Sequence, residues 1–130
     1  RLAPRDDPLV RGYGHLGLAH AHRELGEYEA ALDAYARGKA CMRLAGNASS
    51  ACLTAFYQCR LLHLLGRPRE AAEVVRDAMT WMDGHAAEDA PAYGILYVAR
   101  GTLLCEAHEL SAAEEHLELA FGGGPLGVEA

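Results

Sequence analysis

The sequence predicts an all-α protein built from stacked helical hairpins. The stretch 25–32, Leu-Gly-Glu-Tyr-Glu-Ala-Ala-Leu, returns around Gly66 and again around His108. The copies lie 40 and then 42 residues apart, and a period of about 20 to 50 residues is typical of helical-repeat proteins. No segment sustains the alternation of apolar and polar residues that a strand needs. In each copy an alanine stands five residues after the equivalent of Gly26, namely Ala31, Ala71 and Ala113.

Each copy of this stretch predicts the end of one helix, a short turn and the start of a second helix. Glycine often ends a helix because it adopts the left-handed conformation at little cost. The alanine lets two antiparallel helices approach closely, and one hairpin cannot bury its apolar face alone. The sequence therefore predicts three hairpins, at about 8–45, 49–84 and 90–121, stacked with a right-handed superhelical bend.

Local signals place the predicted helix ends. Asp7-Pro8 is typical of an N-cap followed by the first helical residue, and Ser49 or Ser50 is a candidate N-cap for helix three. Ser111 and Glu114 have capping-box spacing. We expect helices at about 8–25, 28–44, 50–65, 68–84, 90–107 and 111–121, with a frayed lead-in at 1–7, a linker at 85–90 and a flexible tail at 122–130.

Composition excludes several classes of function. A net charge of −6 over 130 residues argues against direct nucleic-acid binding, and no apolar run is long enough to span a membrane. None of the four cysteines forms a C-x-x-C pair, which favours buried, reduced thiols and a cytoplasmic protein. The chain begins with Arg1 rather than methionine, so we expect a fragment of a longer protein.

The charge is uneven along the chain. Residues 1–65 contain 8 basic and 6 acidic side chains, whereas residues 66–130 contain 4 and 12. The acidic half has two interpretations, a solvated face and a docking surface for a basic partner.

No pattern predicts catalysis, a metal or a cofactor. Cys59 with His63, and Cys105 with His108, each offer two potential metal ligands on one helix face, but the sequence indicates no third ligand. The run 114–116, Glu-Glu-His, spreads around a helix instead of converging. The glycines at 122–124 follow a predicted helix, whereas phosphate loops precede one. We therefore expect a binding protein that is not an enzyme.

Trp81, with Met79 and Met82, forms an apolar cluster near the predicted end of helix four. It has two interpretations, a partner-docking patch if exposed and a core closed under the linker if buried. The core is the favoured one.

The recurring stretch resembles the core of a tetratricopeptide repeat. Gly26-x-Tyr28-x-x-Ala31 followed by Tyr35 carries the resemblance, and the copies at 66–75 and 108–117 extend it to about residues 8–121. The resemblance implies that small residues pack opposite the three alanines, and these are Ala19, Cys59 and Gly101. The spacing is longer than the family's period of about 34 residues.

Repeats of this length are similar to the superhelical sensor domain of MalT-like, large ATP-binding LuxR-type transcription regulators. Residues 91–94, Pro-Ala-Tyr-Gly, and 109–117 carry this second resemblance. It implies the sensor or assembly domain of a bacterial regulator, without the nucleotide-binding and DNA-binding modules. The alternative is a general tetratricopeptide adaptor for protein–protein interaction, unrelated to transcription.

Solenoids of this kind bind ligands on the inner face, which the first helix of each hairpin lines. The partner expected there is a protein, a peptide or a small-molecule inducer, and self-association is also possible. His20, Arg60 and Thr102 are equivalent across the three repeats and should stand in a row. Helical spacing directs these candidate groove residues to that face: Tyr13, His20, Arg23, Glu24, Tyr57, Arg60, His63, Thr102 and Glu106.

Overall fold

The computed structural model describes residues 6–85 and 90–118, and every regular element within them is a helix. The all-α prediction is therefore confirmed for these residues. The helices are α1 (Pro8–Glu24), α2 (Tyr28–Leu44), α3 (Ala48–Leu64), α4 (Pro68–His85) and α5 (Ala90–Leu117). The predicted lead-in residues 1–5, most of the linker and the predicted tail lie outside the described residues.

Three turns of the same kind join α1 to α4. Gly26, Gly46 and Gly66 each adopt a positive φ, of 79°, 74° and 76°, in the left-handed region that favours glycine. After each glycine the next N–H bonds back to a carbonyl five residues earlier, as Glu27 N–H does to His22 at 2.8 Å. This is the Schellman arrangement, which satisfies carbonyls left open at a helix end. Each turn has three residues and α1, α2 and α3 have 17 each, which produces the 40-residue hairpin period.

Side chains cap two of the helix starts. The Asp7 carboxylate accepts the N–H of Leu9 at 2.8 Å, which confirms the predicted cap of α1. The predicted caps of α3 were wrong, because Asn47 is the N-cap and its side chain accepts the N–H of Ser50 at 2.9 Å. Asparagine caps as well as serine does, and Gly46 fixes the position of the turn immediately before it.

The predicted break between helices five and six was also wrong. α5 continues through His108, Glu109 and Leu110 to Leu117, so the third copy forms no hairpin within the described residues. The reason is the residue at the turn position. His108 replaces Gly26 and Gly66, and a non-glycine residue takes the left-handed conformation at a cost, whereas it continues a helix readily.

The backbones of α1 and α2 approach each other closely at Gly12 and Gly38. A Cβ at Gly38 would lie 3.0 Å from the carbonyl oxygen of Gly12, and one at Gly12 would lie 2.9 Å from Met42 Cγ. Beside this crossing Tyr35 and Met42 are fully buried. The two glycines therefore set the separation of the helices.

The burial expected of small residues at the helix contacts is confirmed in part. Ala31 and Ala71 are completely buried, as are Ala19 and, nearly so, Cys59. The side chain of Ala113 lies outside what the structure describes, and Gly101 is half-buried.

A second core lies where α3, α4 and the start of α5 meet. Cys52, Met82 and Leu96 are buried there, with Trp81 packed against them and partly exposed. Arg43 and His85 both lie against the Trp81 ring, at 5.2 Å and 5.0 Å. The cluster is therefore part of a core, as predicted, whereas most of the linker that was expected to close it lies outside the described residues.

The chain divides after Arg100 into two compact units. The first holds α1 to α4 and the start of α5, and the second begins at Gly101 within α5. Among the described residues no helix is both long and apolar enough to cross a bilayer.

Candidate binding surfaces

Three rings from three helices form a cluster in the first unit. The imidazole of His20 on α1 lies edge-on to Tyr57 on α3, with 4.7 Å between ring centroids. Tyr35 on α2 stacks beside Tyr57 at 6.1 Å and bonds to His20 Nδ1 at 2.9 Å. Tyr35 is fully buried, whereas His20 and Tyr57 are half-buried. Two of the predicted groove residues, His20 and Tyr57, are thus brought together, and both contact the buried Tyr35, which the prediction did not include.

Burial favours the neutral forms of His20 and Tyr35. Loss of solvent, reinforced by the positive charge of Arg23, lowers the pKa of His20. Loss of solvent likewise raises the pKa of Tyr35. The hydrogen bond between His20 Nδ1 and the Tyr35 hydroxyl forms with either neutral imidazole tautomer, because the hydroxyl can donate or accept. The cluster presents an apolar aromatic surface with one imidazole edge.

Other predicted residues of the first unit surround these rings. Tyr13 bonds through its hydroxyl to Ser50 of α3, which ties α1 to α3. Arg23 and Glu24 approach to 3.7 Å, and such an exposed pair contributes little to stability. His63 is half-buried on α3.

Arg60 is exposed on α3. Its guanidinium lies 5.7 Å from the centroid of the Phe56 ring, a cation–π contact that leaves the planar donor fork open to an anion. No ion pair that involves Arg60 is found among the described residues.

Thr102 and Glu106 lie on α5 beyond Arg100, in the second unit. Thr102 is exposed and Glu106 is half-buried. The predicted row of His20, Arg60 and Thr102 stays a prediction.

A groove of about 440 Å³ lies between α2 and α4, with side chains of α3 at its floor. The sequence prediction missed it. Lys39 and Gln58 meet there, with the Lys39 ammonium donating to the Gln58 amide oxygen at 2.8 Å. Five carboxylates also line it, those of Glu29, Asp33, Glu70, Glu73 and Asp77.

Ion pairs bridge this groove at two points. Arg67 bonds to Glu29 of α2 at 2.6 Å and to Glu70 of α4 at 2.7 Å. Arg43 of α2 reaches Asp77 of α4 at 3.0 Å. The pairing of Arg67 raises its own pKa and lowers that of Glu70. These bridges engage three of the five carboxylates, so the two arginines balance part of the negative charge that lines the groove.

Lys39 is the most buried charged residue of the groove. It is only 9% exposed, and burial together with nearby Arg43 lowers its pKa to about 8. One signal in the sequence indicated it. Lys39 follows Ala31, Leu32 and Tyr35 at helical spacing, so a lysine stands on the apolar face of α2.

Metal-site chemistry finds no support in residues 6–85 and 90–118, which contain no group of three potential ligands among His, Cys, Asp and Glu. The four cysteines are free thiols. Cys52 and Cys59 are buried as predicted, but Cys105 is exposed and Cys41 is half-buried. The prediction of four buried thiols was therefore wrong for those two positions.

A scan of protein-family models, a search of curated proteins and a search of solved structures each found no match for this chain. The tetratricopeptide-like and MalT-like resemblances therefore stay predictions from the sequence.

Proposed function

We propose that this chain is a protein- or ligand-binding helical-repeat module, stacked as a tetratricopeptide-like right-handed superhelix. Its binding face is formed by α1 and α3. The observation that carries the proposal is that one face combines the contact between the His20 and Tyr57 rings with the exposed guanidinium of Arg60, which lies against the Phe56 ring. Rigid aromatic rings beside one open charge suit a peptide or a modest anionic ligand.

The face is preorganised, which supports binding. Tyr35 is fully buried and bonds to His20, so the rings are held in place before any ligand arrives. Fixed side chains lose less conformational freedom on binding. Arg60 then supplies a fork of donors that fits a carboxylate or phosphate.

The setting that we propose for the module is the sensor or assembly domain of a cytoplasmic LuxR/MalT-like transcription regulator. In that setting it binds a partner or inducer and makes no direct contact with nucleic acid. The full-length reading frame tests this setting. An ATP-binding module on one side and a helix-turn-helix domain on the other are expected, and a frame that encodes neither contradicts it.

The alternative is a general tetratricopeptide adaptor. The size of the rings on the α1–α3 face favours it, because aromatic rings and a guanidinium are the groups that dominate peptide and protein interfaces. Both alternatives use the same face, so both depend on Arg60.

The binding face is tested with a phage-displayed peptide library panned against residues 1–130. Affinities of selected peptides are then compared by fluorescence anisotropy for the wild type, for Arg60→Ala and for a control, Arg69→Ala, which removes an exposed arginine from α4. We expect only Arg60→Ala to weaken binding, with both melting temperatures within about 1 °C of the wild type because surface substitutions rarely change stability. If all three proteins bind the peptides with equal affinity, Arg60 is not part of the binding site.

A further inference from the structure

Helix α1 presents an apolar stripe that no described residue of the first unit covers. Val10 and Leu18 are 47% and 55% exposed, and Gly14, Gly17 and Ala21 beside them are exposed as well. A Cβ added at either glycine would meet nothing within 4 Å. The positions follow the spacing of one helix face, so they form a continuous surface, which we call the α1 stripe.

The equivalent face of α3 is covered by α2. Forty residues after Val10, Gly14 and Ala21 stand residues that are all buried. Two contacts from α2 close this face, because the Thr54 hydroxyl lies 3.1 Å from Met42 Sδ and Gln58 accepts from Lys39. The three buried equivalents are Ser50, Thr54 and Leu61.

The equivalent face of α5 is buried too. Forty-two residues beyond Ser50 and Thr54, Ala92 and Leu96 are fully buried. Ala92 and Leu96 share a buried cluster with Met82 of α4. On α3 and α5 this face is therefore packed against a neighbouring helix. The repeat thus indicates that a helix also belongs on the α1 stripe.

The charges indicate which helix. The second part of α5, 101–117, carries four glutamates and neither lysine nor arginine. Its Leu104, Leu110 and Leu117 are 62%, 63% and 56% exposed. Helix α1 carries two arginines, one glutamate and three histidines, so its charge is opposite in sign.

We propose that the α1 stripe binds the segment 101–117 of a second copy of this chain. The contact joins two different surfaces, so copies associate head to tail and each added copy leaves one surface of each kind open. This interaction is independent of the α1–α3 binding face.

Sedimentation equilibrium on residues 1–130 tests the proposal through two blocking variants. Leu18→Glu places a charge in the α1 stripe, and Leu110→Glu places one in the acidic segment. Leu64→Glu is the matched control, because Leu64 is 76% exposed and lies on α3 outside both surfaces. Circular dichroism melts confirm that each variant folds.

The wild type and Leu64→Glu should gain mass as concentration rises, and higher salt should weaken this association because opposite charges steer it. Each blocking variant alone should associate about tenfold or more weakly, since the contact would bury an unpaired charge. A mixture of the two blocking variants should form dimers and stop there, because one complete contact is left between them. A wild type that stays monomeric overturns the proposal. So does a mixture that fails to dimerise, which would indicate that like surfaces pair instead.

Discussion

Lys39 shows how one buried charge shapes the α2–α4 groove. Its ammonium is nearly enclosed and bonds to a neutral amide, Gln58. The carboxylate of Asp77 raises its pKa, but desolvation and Arg43 outweigh that effect. The charged form of Lys39 therefore destabilises the folded chain relative to the unfolded chain.

We expect this destabilisation to appear in the pH dependence of the free energy of unfolding. The folded pKa of Lys39 is about 8, whereas an unfolded lysine titrates near 10.4, about 2.4 pH units higher. Between these values the unfolded chain binds more protons, so this contribution to stability rises with pH and is most unfavourable below pH 8. Lys39→Met should raise the free energy of unfolding at pH 7 by about 1–3 kcal/mol and change it little at pH 10.

Urea unfolding at both pH values checks this expectation. The control is Arg37→Met on the same helix, whose side chain is 65% exposed. An effect of Lys39→Met that is the same at pH 7 and pH 10 would contradict the assigned pKa.

Gly38 is a second position where one atom decides the packing. Gly38→Ala should lower the free energy of unfolding by about 1–3 kcal/mol, because its Cβ would meet the backbone of Gly12. Gly94→Ala on α5 is the control, since a Cβ there meets nothing within 4 Å. It should stabilise by about 0.5–1 kcal/mol through helix propensity. Thermal melts that move in the same direction for both variants would contradict the close approach of α1 and α2.

At the scale of the element, glycine decides where helices end. The sequence predicted α1, α2 and α4 to within one residue, because Gly26, Gly46 and Gly66 mark the turns and local capping chemistry follows them. The same repeat predicted a sixth helix that the structure replaces with the continuation of α5. The pattern of apolar residues was repeated there, but the residue able to adopt the left-handed conformation was not.

His108 tests this explanation. Carbon-13 chemical shifts of the wild type should be helical throughout 102–116. His108→Gly should weaken that helical signal around the substitution, because glycine costs about 1 kcal/mol in a helix interior and permits a turn. His108→Ala should preserve the signal. Non-helical shifts at 108–111 in the wild type would show that the turn forms after all.

The candidate sites were predictable only in part, for a similar reason. Helical spacing placed His20 and Tyr57 on one surface, but the buried Tyr35 that holds them comes from α2 and is found only once three helices pack. The α2–α4 groove depends on Arg67 reaching Glu29 across 38 positions of sequence, which no local pattern records. Lys39 was visible as a charge on an apolar face, yet its partner Gln58 lies on another helix.

At the scale of the molecule, helices of 17 or 18 residues joined by three turns of the same kind give the first unit two surfaces of different chemistry. Side chains of α1 and α3 form an aromatic surface with one open guanidinium, and α2 and α4 enclose a polar groove bridged by ion pairs. The acidic surplus of the sequence is concentrated after residue 65. The two surfaces therefore differ in chemistry, and a ligand can distinguish between them.

The measurement that tests the proposed binding face most directly is an NMR titration of isotopically labelled residues 1–130 with a peptide selected by panning. We predict that the largest shift changes fall on Tyr13, His20, Tyr57 and Arg60. Changes concentrated instead around Lys39 and Asp77 would place binding in the α2–α4 groove and contradict the α1–α3 face.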